Sequence, residues 1–228
     1  MTAPVRLSVV YATDEDIVAT AGADFVNLAA KSARLALGAD GYFDVPEPWT
    51  LRSPSTDFLA LGVTSNMIIN LTGPSSHFRT NELLAVDSAS GDSLVLRWPG
   101  QALNVGFPPG RTVNLGEATG VKFEIRTLSA QIEDACYEIN ERFGIDPAKA
   151  CRSPDSIYDQ RTLRNITVYW VLANAYANGT RDEKGDWSLK AGRYKGMLDD
   201  AIARASVRWG PTGDSQPPSN VFGARLRR

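Results

Sequence analysis

The chain carries a single histidine, His77, in Ser75-Ser76-His77-Phe78. Any histidine-based triad or two-histidine metal site would have to be built on it, together with a nucleophile and an orienting group. Little around it supplies those partners, and an exposed loop histidine is the plainer reading. Asp14, Glu15 and Asp16 have the composition of a paired-carboxylate acid–base site. However, Thr13 precedes them and can cap, Asp16 stands three positions on, and all three carboxylates would face the positive end of a helix dipole. That explains them without chemistry. Asp87, Gly91 and Asp92 resemble a calcium loop only superficially, because the EF-hand spacing and its closing glutamate are missing. A hairpin turn accounts for them. No G-x-x-x-x-G-K or G-x-G-x-x-G run is present, so nucleotide binding by those routes is excluded. Cys136 and Cys151 are too few and too far apart for a zinc knuckle or a disulfide framework. Cys136 falls on an apolar helix face, where a buried reduced thiol is expected. The sequence thus predicts no catalytic residue, no metal and no cofactor.

Composition sets the outer bounds. At 228 residues, 43% hydrophobic and 22% charged, the chain has room for one large domain or two small ones with real cores. A net charge of −2 and a pI near 5.5 argue against general nucleic-acid affinity. No apolar run approaches the ~20 residues that span a bilayer, and Met1 to Leu7 lacks the apolar core of a signal peptide. Synthesis in the cytoplasm, with no membrane partner, is the expectation.

The elements that must position these residues follow from periodicity. Ile17, Ala21, Phe25, Leu28, Ser32 and Leu35 recur at helical spacing, predicting a helix over 14–37 that Gly38 stops. From Gly41 to Thr127 the texture changes to short apolar pieces: Tyr42–Val45, Trp49–Leu51, Met67–Leu71, Leu83–Val86, Leu94–Trp98 and Val121–Ile125. Gly, Pro, Ser and Asp separate them, which predicts a small antiparallel barrel or sandwich. Residues 87–93 read as its clearest hairpin turn, and Pro99 to Gly120 as a long exposed loop.

Ile132, Cys136, Ile139 and Phe143 then stripe a helix that begins at Ser129 and closes at Gly144. Ser153-Pro154 opens the next, over 155–177, whose face carries Leu163, Ile166, Trp170, Ala173 and Ala177. So wide an apolar face belongs in a core or between subunits. A last helix, 186–209, presents Tyr194, Leu198, Ala201 and Ala205. Gly192 and Gly196 inside it have G-x-x-x-G spacing, at about 1 kcal/mol each relative to alanine, which implies close backbone approach or fraying. The expected fold is α+β: a helical bundle from 1–40 and 128–209, an inserted β domain over 41–127, and an extended arm over 210–228. Of these helices, Ile166, Trp170, Ala173, Tyr194 and Leu198 are the candidates for a core or subunit-facing surface.

The arm stands apart. Gly210 to Asn220, with Pro217 and Pro218 in tandem, has no means of packing a core and is expected to be extended. It leads to Val221, Phe222 and Leu226 interleaved with Arg225, Arg227 and Arg228. Such a segment is suited to docking on an acidic surface, and about 19 residues at roughly 3.3 Å each reach about 60 Å.

Thr13-Asp14-Glu15-Asp16-Ile17, Tyr42-Phe43-Asp44-Val45 and Gln131-Ile132-Glu133-Asp134-Ala135 open elements in an order that resembles the head-to-tail adaptor (connector) proteins of tailed bacteriophages and gene-transfer particles. Gln160 through Asn178 and Lys190 through Trp209 extend the resemblance over most of the chain. Its motifs are helix patterns rather than catalytic signatures. The resemblance implies a structural virion protein of the neck and no enzyme. It implies a dodecameric ring of copies of the chain beneath the portal protein, with Pro217 to Arg228 gripping the portal. A tail or neck component would attach to the ring's platform, and DNA would pass through without sequence reading. The β insert departs from the smallest members of that family, which leaves its role open. Two other classes compete: a ligand- or glycan-binding module using Trp49, Trp98 and His77, and a carboxylate hydrolase.

Overall fold

The computed structural model describes residues 9–29, 33–73, 82–100, 115–146, 148, 157, 160–179 and 186–205. His77, Cys151, Ser153-Pro154 and the arm 210–228 lie outside the described residues. The fold is α+β, and the chain divides into two compact units, Thr13–Leu128 and a second comprising Met1–Ala12 with Ser129–Arg228.

The first unit is a closed barrel of six antiparallel strands in the order β1-β2-β5-β4-β3-β6. The strands are β1 (Arg34–Asp44), β2 (Glu47–Arg52), β3 (Ile68–Thr72), β4 (Glu82–Ala89), β5 (Ser93–Arg97) and β6 (Ala118–Arg126). Closure removes free sheet edges, and alternation sends one side chain in two to the interior. Phe43, Leu51, Ile69, Leu71, Leu84, Val86, Leu94, Leu96, Phe123 and Ile125 fill it, together with Phe58 and Val63 from the β2–β3 connection. Every apolar piece read from the sequence overlaps one of these strands, with Val45, Met67 and Trp98 just beyond the strand ends. The 87–93 turn is tighter than expected, because β4 runs to Ala89 and only 90–92 make the bend.

The predicted helix over 14–37 needs correction. Helix α1 (Asp14–Ala21) stops at Gly22, whose φ of 59° lies in the left-handed region. A short 3-10 turn (Gly22–Asp24) and a single-turn helix α2 (Phe25–Leu28) follow. Arg34 onward is strand, paired with β6 through Ala36↔Ile125, Leu37↔Glu124 and Gly38↔Phe123. Helical spacing of Leu28 and Leu35 was outweighed by pairing across the barrel, since strand preference depends on the neighbours available. Residues 13–40, expected in the helical domain, therefore belong to the barrel unit.

Thr13 begins α1 as foreseen, its backbone N–H donating to Asp16 Oδ2 at 3.0 Å, the reciprocal half of a capping box. Helix α2 ends over β6, where Arg126 Nη1 donates to the carbonyls of Val26 and Ala29 at 2.6 and 3.0 Å. A guanidinium at a helix C-terminus satisfies orphan carbonyls and complements the dipole.

The second unit contains α3 (Ser129–Phe143), α4 (Gln160–Gly179) and α5 (Asp186–Arg204). Ile132, Ala135, Cys136, Ile139 and Phe143 form the buried stripe of α3, and Gly144 at φ 65° stops it. Both follow the sequence reading. Helix α4 starts at Gln160 in the described residues and buries Leu163, Ile166, Val168, Val171, Leu172, Ala173 and Tyr176. Tyr11 joins this unit: its N–H meets Cys136 Sγ at 3.3 Å and its hydroxyl donates to Asn140 Oδ1 at 2.5 Å. Cys136 is a free, buried thiol, and burial pushes its pKa up. It is a packing residue rather than a nucleophile.

Candidate subunit-contact surfaces

The residues of the predicted helix face separate by depth. Ile166 and Ala173 are buried, and Trp170 and Leu198 pack partly buried against the cluster of Ile139, Phe143, Leu163 and Ile202. Tyr194 stacks on Tyr176 with ring centroids 5.5 Å apart and an 8° interplanar angle. Trp187 meets the same Tyr176 edge-on at 5.3 Å, and Lys190 Nζ lies 5.8 Å from its centroid. Of the five, Ile166 and Ala173 are thus buried in the helical unit, while Trp170, Tyr194 and Leu198 are half-buried. The eight named residues of the arm lie outside the described residues.

The outward faces of the helices are unlike one another. On α3, Glu133, Asp134, Tyr137, Glu138 and Glu141 are all exposed. Their spacing of three and four places them on one side of the helix, with Arg142 at its margin. Tyr137, 52% exposed, puts an aromatic ring among four carboxylates. On α5 the exposed side carries Leu189, Gly192, Arg193 and Gly196, and Leu189 is 74% exposed. Lys190 and Arg204 pair within the helix to Asp186 at 2.8 Å and Asp200 at 3.4 Å. Arg193, Lys195 and Asp199 are the other exposed charged residues of α5. Sequence periodicity identified the buried stripe of α3, whereas on α5 the residues of the predicted stripe are half-buried and Ile202 beside them is buried. Periodicity passed over the outward faces, although these are the complements of the same patterns.

On the barrel unit, Leu37, Leu59 and Leu61 are exposed, and Leu37 and Leu61 line a shallow depression with Leu35, Ser55, Asp57 and Ala60. Asp40 accepts from Ser55 N and Oγ at 3.1 and 2.7 Å and from Ser53 Oγ at 2.9 Å. Those bonds, led by the Ser55 hydroxyl, hold its carboxyl below the usual range. Trp98 packs partly buried against the barrel core and Trp49 is half-buried. Asp87, weighed as a calcium ligand, instead pairs with Arg97 at 3.3 Å.

The three carboxylates at the start of α1 are spent on structure. Asp14 is buried and accepts from Leu128 N at 2.8 Å, Glu15 pairs with Arg97, and Asp16 holds Thr13. Among the described residues no group of three or more His, Cys, Asp or Glu is arranged to hold a metal ion. No described helix is long and apolar enough to cross a membrane.

Comparison with protein-family models, with curated proteins and with solved structures finds no significant match.

Proposed function

We propose that this chain is a structural head-to-tail adaptor of a tailed bacteriophage or gene-transfer particle, not an enzyme. It forms a ring under the portal protein and grips the portal through the arm 210–228. The ring offers the platform to which a tail or neck component attaches, and its lumen passes DNA without reading it. In this reading the three long helices are the bundle of the adaptor and the barrel is its insert.

The observation that carries the proposal is the composition of the C-terminal segment. Eleven residues rich in Gly, Pro and small polar side chains, Gly210 to Asn220, lead to Val221, Phe222 and Leu226 set among Arg225, Arg227 and Arg228. Apolar anchors beside fixed cations suit ordering against an acidic partner surface, with the entropy of ordering lost only on assembly. Repetition around a ring multiplies a weak contact into firm attachment. The charged, carboxylate-rich helix surfaces and the structural use of Asp14, Glu15 and Asp16 are compatible with an assembly role.

Deletion of residues 210–228 tests it. The truncated chain should fold and remain soluble while heads fail to join tails, scored by electron microscopy of particles from complemented infections. Normal particles from the truncated protein would refute the reading.

A further inference from the structure

We infer that, before assembly, the end of the arm of one copy adds as a strand to the open edge of β1 on a second copy. The inference rests on the arm reading proposed above and gives the arm a seat on its own kind before it meets the portal.

β1 outruns its neighbour β2. Its 11 residues pair with β6 from Arg34 to Phe43, but with the 6 of β2 only through Tyr42↔Arg52 and Asp44↔Glu47. The chain after β2 is tied to β1 once more, by Ser53 and Ser55 on the Asp40 carboxylate. Among the described residues, no backbone hydrogen bond joins 34–39 to 54–61. Leu35, Ala36 and Leu37 on one side and Asp57, Ala60 and Leu61 on the other line the depression between these segments. A strand edge without a partner presents unpaired N–H and C=O groups, and proteins that leave one open guard it with charge or proline. Leu35-Ala36-Leu37-Gly38-Ala39 has neither. Leu37 and Leu61 instead stand 62% and 42% exposed beside it.

The arm ends in a matching pattern. Phe222, Ala224 and Leu226 alternate with Gly223, Arg225 and Arg227, the period of a strand with one apolar and one cationic side. Residues 222–226 are as long as the open stretch 35–39. Paired to β1, this strand turns its apolar side into the depression and its arginines to solvent, where Asp57 is the one charged residue of the lining. In strand addition of this kind, main-chain bonds supply affinity and alternate side chains supply specificity. Helix α5 ends at Arg204, and the roughly 17 residues from there to Phe222 span up to about 56 Å at roughly 3.3 Å each. That length lets the strand reach a neighbouring copy.

Sedimentation equilibrium and residue-resolved hydrogen exchange of the full chain test this. The wild type should self-associate with a dissociation constant below about 0.1 mM. Two double variants should each weaken association at least tenfold: Phe222→Asp with Leu226→Asp in the arm, and Leu37→Asp with Leu61→Asp at the depression. Both of these leucines are exposed, so the second variant should keep its denaturant midpoint. Exchange above the dissociation constant reads the edge directly. Those amides of 35–39 that β6 leaves unpaired should exchange at least tenfold faster in the arm variant than in the wild type. Equal exchange in the two overturns the added strand, and association that neither variant weakens overturns the contact. A wild type monomeric to about 0.1 mM overturns the second copy even where those amides are protected, because the arm then pairs within one copy. The depression variant keeps its arm intact, and the arm-deletion outcome in particles tests the adaptor reading separately.

Discussion

Glu15 in the first turn of α1 and Arg97 at the end of β5 stand 82 positions apart and share a two-pronged ion pair. The side chains are 13% and 15% exposed. Arg97 also donates to Asn66 Oδ1 at 2.7 Å and faces Asp87 at 3.3 Å. Gly100 N adds a bond to Glu15 Oε1 at 2.7 Å. Asn66 completes the knot, accepting from Glu15 N through its carbonyl at 3.2 Å and donating its own N–H to Val86 O at 2.8 Å. One guanidinium thus fastens the first helix to the barrel wall.

Replacing Arg97 with alanine should destabilise the barrel unit by about 3 kcal/mol, because Glu15 would be left largely desolvated with its charge uncompensated. Arg97→Lys should recover only part of this, since an ammonium does not reproduce the fork. Hydrogen exchange of β-strand amides follows the barrel unit separately from the helices. A change below about 0.5 kcal/mol would mean the pair is screened like an ordinary surface bridge.

Gly38 on β1 lies opposite Phe123 on β6, and a Cβ there would come within 2.2 Å of the Phe123 ring. The ring fills the space that a side chain on β1 would otherwise occupy, so this glycine is fixed by packing. Gly38→Ala should cost about 1–3 kcal/mol through overpacking, and the added substitution Phe123→Leu should relieve part of the clash. Urea melts of the single and double variants, compared with Phe123→Leu alone, give the coupling. Additive effects would show that the ring moves aside freely.

Much of this architecture could be read from the residues. The six strands follow from short apolar pieces bounded by turn formers, and α3 from an unbroken stripe ending in glycine. The stretch 22–37 could not be read the same way. Its leucines have helical spacing, and only pairing with β6 decides that Arg34–Asp44 is strand. Asp14 was equally opaque. As a carboxylate at a helix start it looks solvated, and its burial depends on Leu128, 114 positions away. The carboxylate-rich outer side of α3 was present in the sequence, but periodicity analysis looks for what is buried. Outward faces acquire meaning only once the buried ones are assigned.

Asp14 gives the molecule a measurable pH dependence. Burial raises its pKa from 3.8 to about 6, against the lowering effect of the Leu128 N–H and the Thr127 side chain. A carboxyl that binds its proton more tightly when folded favours the native state in its neutral form. Its contribution is therefore fully present below about pH 3.8 and lost as the pH rises through about 6. Asparagine at this position keeps an oxygen to accept the Leu128 N–H and never ionises. The stability of Asp14→Asn relative to wild type should accordingly increase by about 2–3 kcal/mol between pH 4 and pH 7. Taking the difference between the two proteins cancels the titration of every other group. Denaturant midpoints of the barrel unit at half-unit pH steps would trace the curve, and a constant difference across that range would show that Asp14 ionises alike in the folded and unfolded chain.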